Sequence, residues 1–398
     1  MPRRVYLDNN ATTPLLPEVL EAMRPYFGEC FGNASSIHHH GQETRAAVER
    51  ARESVASMLG CRASEIVFTS GGTEADNLAI FGLTCSGRAS AGDHVITSTI
   101  EHHAVLNACK HLAAQGCEVT YIPVDGRGLV DPDDVKRAIR PNTKLITIML
   151  ANNETGVLQP VAEIGKIAAE ADVYFHSDAV QAAGKIAIDV NKIGCDLLTI
   201  SGHKIHGPQG VGALYVRKGT QLEPMLYGGS HERSRRAGTE YVPGIVGLGK
   251  AAELAVTGLE RGDDRRMTAE RDRLERELLT VEATGLNGAD SNGELAPRVP
   301  NTTNIYFDGI EGEALVIALD LKGLAVSTGA ACSSGAIEPS HVLTAMGLRH
   351  DRAKASIRFS LGKQNTPEDV DFALGLLPET VAHLRELSPV WPNKVLSR

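Results

Sequence analysis

One lysine stands in a sequence context suited to covalent chemistry. Lys204 ends the segment Ser201-Gly202-His203-Lys204, which directly follows an apolar run over residues 197–200. A lysine at the mouth of a buried strand, beside a hydroxyl, an imidazole and a glycine that admits a close ligand, can hold a phosphorylated aldehyde as a Schiff base. Pyridoxal 5'-phosphate is therefore the first cofactor hypothesis. A turn with a solvated lysine is the alternative that this segment alone leaves open.

A second segment could bind the phosphate of such a cofactor. A predicted strand over residues 65–69 ends in Ser70-Gly71-Gly72-Thr73-Glu74, and a helical run over residues 75–83 follows. The amino terminus of a helix offers unpaired N–H groups and a favourable dipole to an anion. Gly72 and Thr73 are thus candidate phosphate ligands, although an ordinary turn capped by Thr73 would have the same pattern.

Three further polar residues could contact the ring of the cofactor. Asp178 ends a predicted strand before Lys204, and Gln181 follows it at the start of the next helical segment. A carboxylate at that place would keep a pyridine nitrogen protonated, which maintains the ring as an electron sink. His102 could lie flat on the ring. Asp178 and His102 could equally be helix caps.

These side chains require an α/β scaffold. Val-, Ile- and Leu-rich strands alternate with helices, which predicts a mostly parallel sheet covered on both faces. Ligands of such sheets lie beyond the carboxyl ends of the strands. The strands are predicted at residues 65–69, 94–97, 118–122, 145–149, 173–176 and 197–200, and the helices at 42–58, 75–83, 102–114, 132–139 and 161–171. The polar residues at the strand ends are Thr73, Glu101, His102, Asn152, Asn153, Asp178, Gln181, Ser201, His203 and Lys204.

The last third of the chain supplies a candidate nucleophile and a candidate carboxylate ligand. Cys332 lies in the loop 327–335 among Gly, Ser and Ala residues, where a thiolate would be free to react. Arg358 lies in a predicted strand over residues 355–361, and its forked donors suit a substrate carboxylate. One long charged helical stretch over residues 245–279 is predicted to connect this unit to the rest, and residues 285–301 are predicted to be loop.

Composition excludes several classes of partner. The chain has 398 residues, 42% of them hydrophobic and 4% aromatic, which predicts a large aliphatic core and two domains. A net charge of −9 offers no basic field for nucleic acid or an anionic membrane. Neither a secretory signal nor a run of about 18 apolar residues is predicted, so no membrane span is expected.

The cysteines and clustered histidines do not predict a metal or disulfide framework. Seven scattered cysteines without C-x-x-C spacing favour a reduced cytoplasm, with neither disulfides nor an internal zinc site. In the triplet His38-His39-His40, neighbouring side chains point in different directions, so a turn or the edge of a site is the better interpretation.

Several motifs in the same order closely resemble cysteine desulfurases of the NifS/IscS type, which are class V, fold-type I pyridoxal phosphate enzymes. The resemblance extends over nearly the whole chain. It depends on the segments 6–14, 101–105, 152–156, 178–181, 201–204, 236–239 and 327–334. The form of the cysteine loop matches the long-loop group rather than the SufS-like group. Ala34 and Tyr241 depart from the usual proline and asparagine, and neither departure touches the proposed chemistry.

The resemblance implies a role for each site residue. Lys204 would carry the cofactor, Asp178 would meet the pyridine nitrogen, Gln181 the ring hydroxyl, and His102 would stack on the ring and assist as acid or base. Gly72, Thr73, Ser201 and His203 would hold the phosphate, with Thr239 reaching over from the second subunit of a homodimer. Asn153 would contact cofactor and substrate, and Arg358 would hold the substrate carboxylate. Cys332 would attack the sulfur of L-cysteine, release alanine and carry a persulfide.

The resemblance also implies an architecture and partners. The large domain, residues 15–260, would hold the cofactor on a mostly parallel seven-stranded sheet. Residues 1–14 and 261–398 would form a smaller α+β domain with a mobile Cys332 loop. The sulfur would pass to an iron-sulfur scaffold of the NifU/IscU kind, with possible use in nitrogenase maturation, and Cys332 would transiently ligate the shared cluster without any intrinsic metal. A selenocysteine lyase or an aminotransferase on the same scaffold is the alternative, and a non-catalytic sulfur carrier is a more distant one.

Overall fold

The computed structural model describes residues 3–84, 93–290, 293–329 and 339–391. The prediction for Cys332 and most of its loop lies outside these residues. The strands are β1 Val5–Tyr6, β2 Ile66–Thr69, β3 His94–Ser98, β4 Glu118–Ile122, β5 Thr143–Thr147, β6 Tyr174–Asp178, β7 Leu197–Ser201, β8 Gly212–Val216, β9 Thr284–Leu286, β10 Thr302–Phe307, β11 Leu324–Ala325 and β12 Ser356–Ser360. The helices are α1 Pro17–Met23, α2 His39–Leu59, α3 Gly72–Thr84, α4 His103–Ala114, α5 Pro132–Ala138, α6 Val161–Glu170, α7 Val190–Ile193, α8 Val242–Arg261, α9 Asp263–Leu278, α10 Gly312–Leu321, α11 His341–Ala345, α12 His350–Lys354 and α13 Pro367–Leu387.

The predicted seven-stranded, mostly parallel sheet is confirmed. Its strand order is β2-β8-β7-β6-β5-β3-β4, and the neighbours from β7 to β4 are all parallel. Only β8 runs against its neighbours β2 and β7. The parallel strands therefore share one carboxyl edge, at which the chain segments after β3, β5, β6 and β7 meet.

The central strands are buried on both faces, as their aliphatic composition predicts. Ile96, Leu145, Phe175 and Leu198 are fully buried in four neighbouring strands. Helices cover the two faces of the sheet, so its backbone hydrogen bonds are shielded from water. The result is a rigid platform that fixes where each strand ends.

Two small sheets lie in the remainder of the described chain. β10 pairs antiparallel with both β12 and β9, and β1 pairs parallel with β11. A separate apolar cluster, which includes Leu7, Phe307 and Phe359, forms on these strands. Through β1 and the following turn, the amino-terminal segment passes from this cluster to the large sheet, where Thr13 N donates to His203 O at 2.9 Å.

Several predicted boundaries were wrong, and three of them change the interpretation of an element. The single helix over residues 245–279 is broken at Gly262, whose φ of +86° ends α8 and caps it before α9 begins. β5 ends at Thr147 rather than at residue 149, where its pairing with β3 stops and Met149 N donates to the Glu101 carboxylate. The predicted loop 285–301 begins with residues of β9, which pairs with β10.

Helix α8 is long and apolar enough to cross a membrane by length and composition, and it is the one such helix in the described ranges. It is a core helix in this fold. A Cβ placed on Gly249 would lie 2.6 Å from Cβ of Ala51, so α8 and α2 pack at very close range. Its apolar character is explained by that burial.

Candidate active site

A cavity of about 330 Å³ lies at the carboxyl edge of the large sheet. Its size is at the lower end of small-molecule sites. Ten of the twelve predicted site residues line it: Gly72, Thr73, His102, Asn153, Asp178, Gln181, Ser201, His203, Lys204 and Arg358. The cavity is also lined by Asn10, Ala11, Asp76, Met149, Val180, Ser327 and Gly329. Residues from both halves of the chain thus converge on one site.

Lys204 ends a short 3₁₀ turn directly after β7. Its Nζ donates to the backbone oxygens of Asn10 at 2.5 Å and Ala11 at 2.7 Å. Burial and the positive charge of Arg358 lower the pKa of Lys204 to about 8, against the opposing pull of nearby carboxylates. A fraction of this amine is therefore unprotonated near neutral pH, which is the form that attacks an aldehyde.

Asp178 ends β6, next to β7 in the sheet. Its Oδ1 accepts a hydrogen bond from Val180 N at 2.8 Å. Residues 180–185 form turns instead of the predicted helix start, so the helix-cap alternative for Asp178 was wrong. Burial raises the pKa of Asp178 to about 6, while the Val180 N–H and the Lys204 charge act in the opposite direction. A buried carboxylate of this kind favours a cationic partner such as a protonated pyridine nitrogen.

His102 is both a helix cap and a wall of the cavity. Its Nδ1 accepts from Ala104 N at 3.1 Å at the start of α4. Burial and the charge of Lys204 lower the pKa of His102 to about 4, so the ring is neutral at physiological pH. Because Nδ1 is an acceptor, the proton of the neutral ring resides on Nε2. His102 therefore presents a donor at Nε2.

The predicted phosphate site has the features of an anion cradle. α3 begins at Gly72, three residues earlier than predicted, so Gly72 and Thr73, which line the cavity, belong to its first turn. A Cβ on Gly72 would lie 3.0 Å from Val180 Cγ2, which shows how closely the backbone approaches this wall. Ser201 Oγ is buried and has no hydrogen-bond partner among the described residues. An anion accepting from these donors would satisfy them.

Arg358 lines the same cavity and has a donor that is unpaired in the described part of the chain. Its Nη1 donates to Asn153 O at 3.0 Å and its Nη2 to Asp8 Oδ1 at 2.6 Å, which fixes the guanidinium plane. Its Nε is buried and lacks a partner within the described ranges. A buried N–H of this kind is normally paired, so the geometry suits an incoming carboxylate.

One described site residue that was predicted is not brought into the cavity. Thr239 is exposed and does not line it. Cys332 lies outside the described residues. Gly329, three positions before Cys332 in the sequence, does line the cavity.

Sequence reasoning missed other residues of the site. Asn10 was part of a turn-forming motif, and its backbone oxygen accepts from Lys204. Asp76 lies on the inner face of α3, and burial together with the Asp178 charge raises its pKa well above the ordinary value. Lys185, which contacts the lining residue Gln181 from just outside the cavity, was not predicted either. Burial of a polar residue inside a helix or turn leaves no clear sequence signal.

The chain matches a known family over most of its length. The family model described as aminotransferase class-V matches residues 5–372. The sequence is 53% identical over 392 residues to the cysteine desulfurase IscS of Methanosarcina thermophila, covering 98% of this chain and 95% of that protein. It is 51% identical over 390 residues to the cysteine desulfurase IscS of Dictyoglomus turgidum, covering 98% and 97%.

Solved structures agree with these matches. A structure described as a NifS-like protein has a TM-score of 0.88 and 38% identity, covering 96% of this chain and all of that one. A NifS-like protein from Rickettsia africae has a TM-score of 0.84 and 35% identity, with the same coverage. The fold-type I architecture predicted from the sequence is thereby confirmed.

Proposed function

This chain belongs to the aminotransferase class-V family and, within it, to the cysteine desulfurases, and from this premise we propose roles for its site residues in removing sulfur from L-cysteine. Enzymes of this family depend on pyridoxal 5'-phosphate. The described cavity fits that cofactor: it combines a partly unprotonated lysine, a buried carboxylate and a helix amino terminus beside the unpaired Ser201 Oγ. The convergence of Lys204 and Asp178 on one cavity is the observation that carries the proposal.

The phosphate would be held by Gly72, Thr73, Ser201 and His203, and the pyridine nitrogen by Asp178. When bound, pyridoxal 5'-phosphate supplies an electron-withdrawing ring that stores the electron pair left on the α-carbon of the substrate. Lys204 would anchor the aldehyde covalently. Once substrate has displaced it, Nζ of Lys204 would take the α-proton, for which its pKa of about 8 is well matched to neutral pH.

The substrate carboxylate would be bound by Arg358 and Asn153. The Arg358 guanidinium is already oriented by Asp8 and by the Asn153 carbonyl, so its remaining donor needs no reorganisation. His102, neutral with its proton on Nε2, would stack on the ring and act first as a donor.

The sulfur acceptor would be Cys332. Chain length alone keeps its Cα within about 11 Å of that of Gly329, which lines the cavity. The Cys332 thiolate would attack the substrate sulfur, forming an S–S bond as the carbon–sulfur bond breaks. The released electron pair stays with the three-carbon framework, which takes up protons and leaves as alanine. The enzyme retains a persulfide, so no external oxidant or reductant is required.

A homodimer would complete the site. Thr239 is exposed and does not line the cavity of its own chain, which supports its action on the phosphate of a second subunit. Phe31, Ile37 and Tyr227 are 72%, 90% and 84% exposed, and apolar side chains of this size favour coverage by another chain.

The persulfide would be passed to an iron-sulfur scaffold protein of the NifU/IscU kind in the cytoplasm, and Cys332 would ligate a shared cluster transiently. We also propose the domain division at residues 15–260 against 1–14 with 261–398. The separate apolar cluster on the small sheets supports that division. The aminotransferase and selenocysteine lyase alternatives are not favoured, because relatives sharing about half of this sequence are named cysteine desulfurases.

The direct test is product formation from L-cysteine under reductant. The wild type should release alanine and sulfide in equal amounts, and Lys204→Ala and Cys332→Ala should each lose sulfide. Cys30→Ala is the matched control, since Cys30 is a half-buried thiol outside the cavity that contacts Glu43. Full sulfide production by Cys332→Ala would contradict the proposal.

A further inference from the structure

A second lysine is buried directly behind the site. Lys185 is 6% exposed, and its Nζ donates to Gln181 Oε1 at 2.7 Å and to Asn10 Oδ1 at 2.9 Å. Both acceptors are uncharged amide oxygens. Burial, followed by the positive charges of Lys204 and Arg358, holds the pKa of Lys185 well below its ordinary value. A methionine would fill the same volume without desolvating an amine, so what the amine adds is its hydrogen bonds.

Those hydrogen bonds fix the orientation of the Gln181 carboxamide. Gln181 Oε1 faces the Lys185 amine, and Gln181 Nε2 donates to Asn10 O at 3.0 Å. If the Gln181 carboxamide were reversed, its oxygen would face the Asn10 backbone oxygen and its NH₂ group would face the Lys185 amine. The amide nitrogen is therefore the end that contacts Asn10, and both residues line the cavity.

One N–H of Gln181 remains for a ligand. Nε2 carries two hydrogens, and a single acceptor, Asn10 O, is present for it among the described residues. The same backbone oxygen also accepts from Lys204 Nζ at 2.5 Å. Lys204 and Gln181 thus donate to the same backbone oxygen of Asn10. Lys185 donates to the side-chain oxygen Oδ1 of that residue.

We propose that Lys185 is a positioning residue that orients Gln181 so that an N–H is presented to the ring oxygen of bound pyridoxal 5'-phosphate. The proposal rests on the proposed function, in which Gln181 meets that oxygen. A ring oxygen that receives this hydrogen bond is stabilised in its deprotonated form. Without it, the oxygen holds its own proton more tightly, and absorbance of the bound cofactor moves from the visible band to the near-ultraviolet band.

The test compares absorption spectra of the loaded variants Lys185→Met, Gln181→Leu and the double variant at one pH. Lys185→Met should lower the ratio of visible to near-ultraviolet absorbance by about tenfold, the size expected for a lost hydrogen bond to a charged group. Because Lys185 acts through Gln181, the Lys185→Met change should add almost nothing in the Gln181→Leu background. Lys363→Met is the matched control, because that partly buried amine donates to Leu254 O outside the cavity.

Thermal unfolding of each variant without cofactor is measured in parallel, so that a change in stability is separated from a change in the spectrum. Lys185→Gln keeps an N–H on a shorter side chain and should lower the absorbance ratio in the same direction as Lys185→Met, but less. This variant tests the proposal if Lys185→Met does not fold. An unchanged ratio in folded Lys185→Met, or an equal further shift in the Gln181→Leu background, would overturn the proposal. A wild type without any visible band would instead contradict the proposed function itself.

Discussion

Asp178 ends β6 and Lys204 ends the 3₁₀ turn that follows the neighbouring parallel strand β7, and each residue stabilises the charged form of the other. The Lys204 ammonium lowers the pKa of Asp178 against the larger effect of burial, and Asp178 raises that of Lys204 in the same way. Two groups that burial alone would neutralise are thus kept near the point of titration. This pairing makes an amine and a carboxylate available to one cofactor, and several measurable consequences arise from it.

Cofactor loading should depend on pH through Lys204. Only the unprotonated amine attacks the cofactor aldehyde, so attachment to the apo protein should accelerate as pH rises and level off above about 8. Arg358 lowers the pKa of Lys204, so Arg358→Leu should move the midpoint to higher pH. Stopped-flow absorbance between about pH 6 and pH 10.5 measures both midpoints, and a wild-type midpoint near 10.4, the value of an unperturbed lysine, would refute this prediction.

Replacing Asp178 by Asn should stabilise the apo protein while it disables the enzyme. The pKa of Asp178 is raised in the folded state, so the folded protein binds more protons than the unfolded chain between about pH 4 and 6. Stability therefore falls as pH rises through that window and stays lower above it. Asparagine does not ionise, so the variant avoids this loss in the free energy of unfolding, which is about 1–3 kcal/mol at pH 7.5.

The activity of the Asp178→Asn variant should drop by about 100-fold or more, because the ring loses its charged partner. Chemical denaturation and steady-state sulfide release provide the two measurements. Asp196→Asn is the control: the pKa of Asp196 is also raised by burial, but Asp196 accepts from Phe175 N outside the cavity. A destabilised Asp178→Asn apo protein would contradict the sign of the argument.

Arg358→Lys should raise KM for L-cysteine more than it lowers kcat. Lysine keeps the charge, but its donors all lie on one nitrogen and cannot reproduce the planar fork that contacts Asn153 and Asp8 through two separate nitrogens, so a rise in KM of about 10- to 100-fold is expected. Arg352→Lys offers a comparison, because Arg352 pairs with Asp308 away from the cavity. An unchanged KM with a large loss of kcat would remove Arg358 from carboxylate binding.

A mixed dimer tests whether Thr239 acts across subunits. Lys204→Ala and Thr239→Val homodimers should each have low activity at limiting cofactor. If Thr239 acts in the active site of the partner subunit, a hybrid dimer has one Lys204→Ala subunit and one Thr239→Val subunit. Both substitutions then fall in one active site, and the other active site has neither. Mixing under exchange conditions should therefore restore about a quarter of wild-type activity, since half of the dimers are hybrids and each hybrid has one of two sites intact. No gain over the separate homodimers would place Thr239 in its own subunit.

Much of the site was predictable because parallel strands share an edge. Lys204, Asp178 and His102 each follow a separate strand, and an aliphatic strand pattern is enough to bring their neighbourhoods together. The boundaries that failed depend on details without a sequence period. Gly262 could continue a charged helix or end it, and only its positive φ shows that it ends α8.

The unpredicted part of the site consists of buried polar residues. Lys185 and Asn10 read as surface residues by type, because lysine and asparagine are usually exposed. Their burial follows from the close approach of the amino-terminal segment to β7, a contact between residues about 190 positions apart in the sequence, as between Thr13 and His203. No local pattern encodes such a contact.

The central claim is that Lys204 chemistry delivers the sulfur of cysteine to Cys332. Mass spectrometry of the loaded enzyme, after a single turnover with L-cysteine and alkylation of thiols, tests it most directly. The account predicts that the peptide containing Cys332 gains the mass of one sulfur atom, that Lys204→Ala shows no such gain, and that Cys30 stays unchanged. Alanine release with unmodified Cys332, or the extra sulfur on another cysteine, would contradict it.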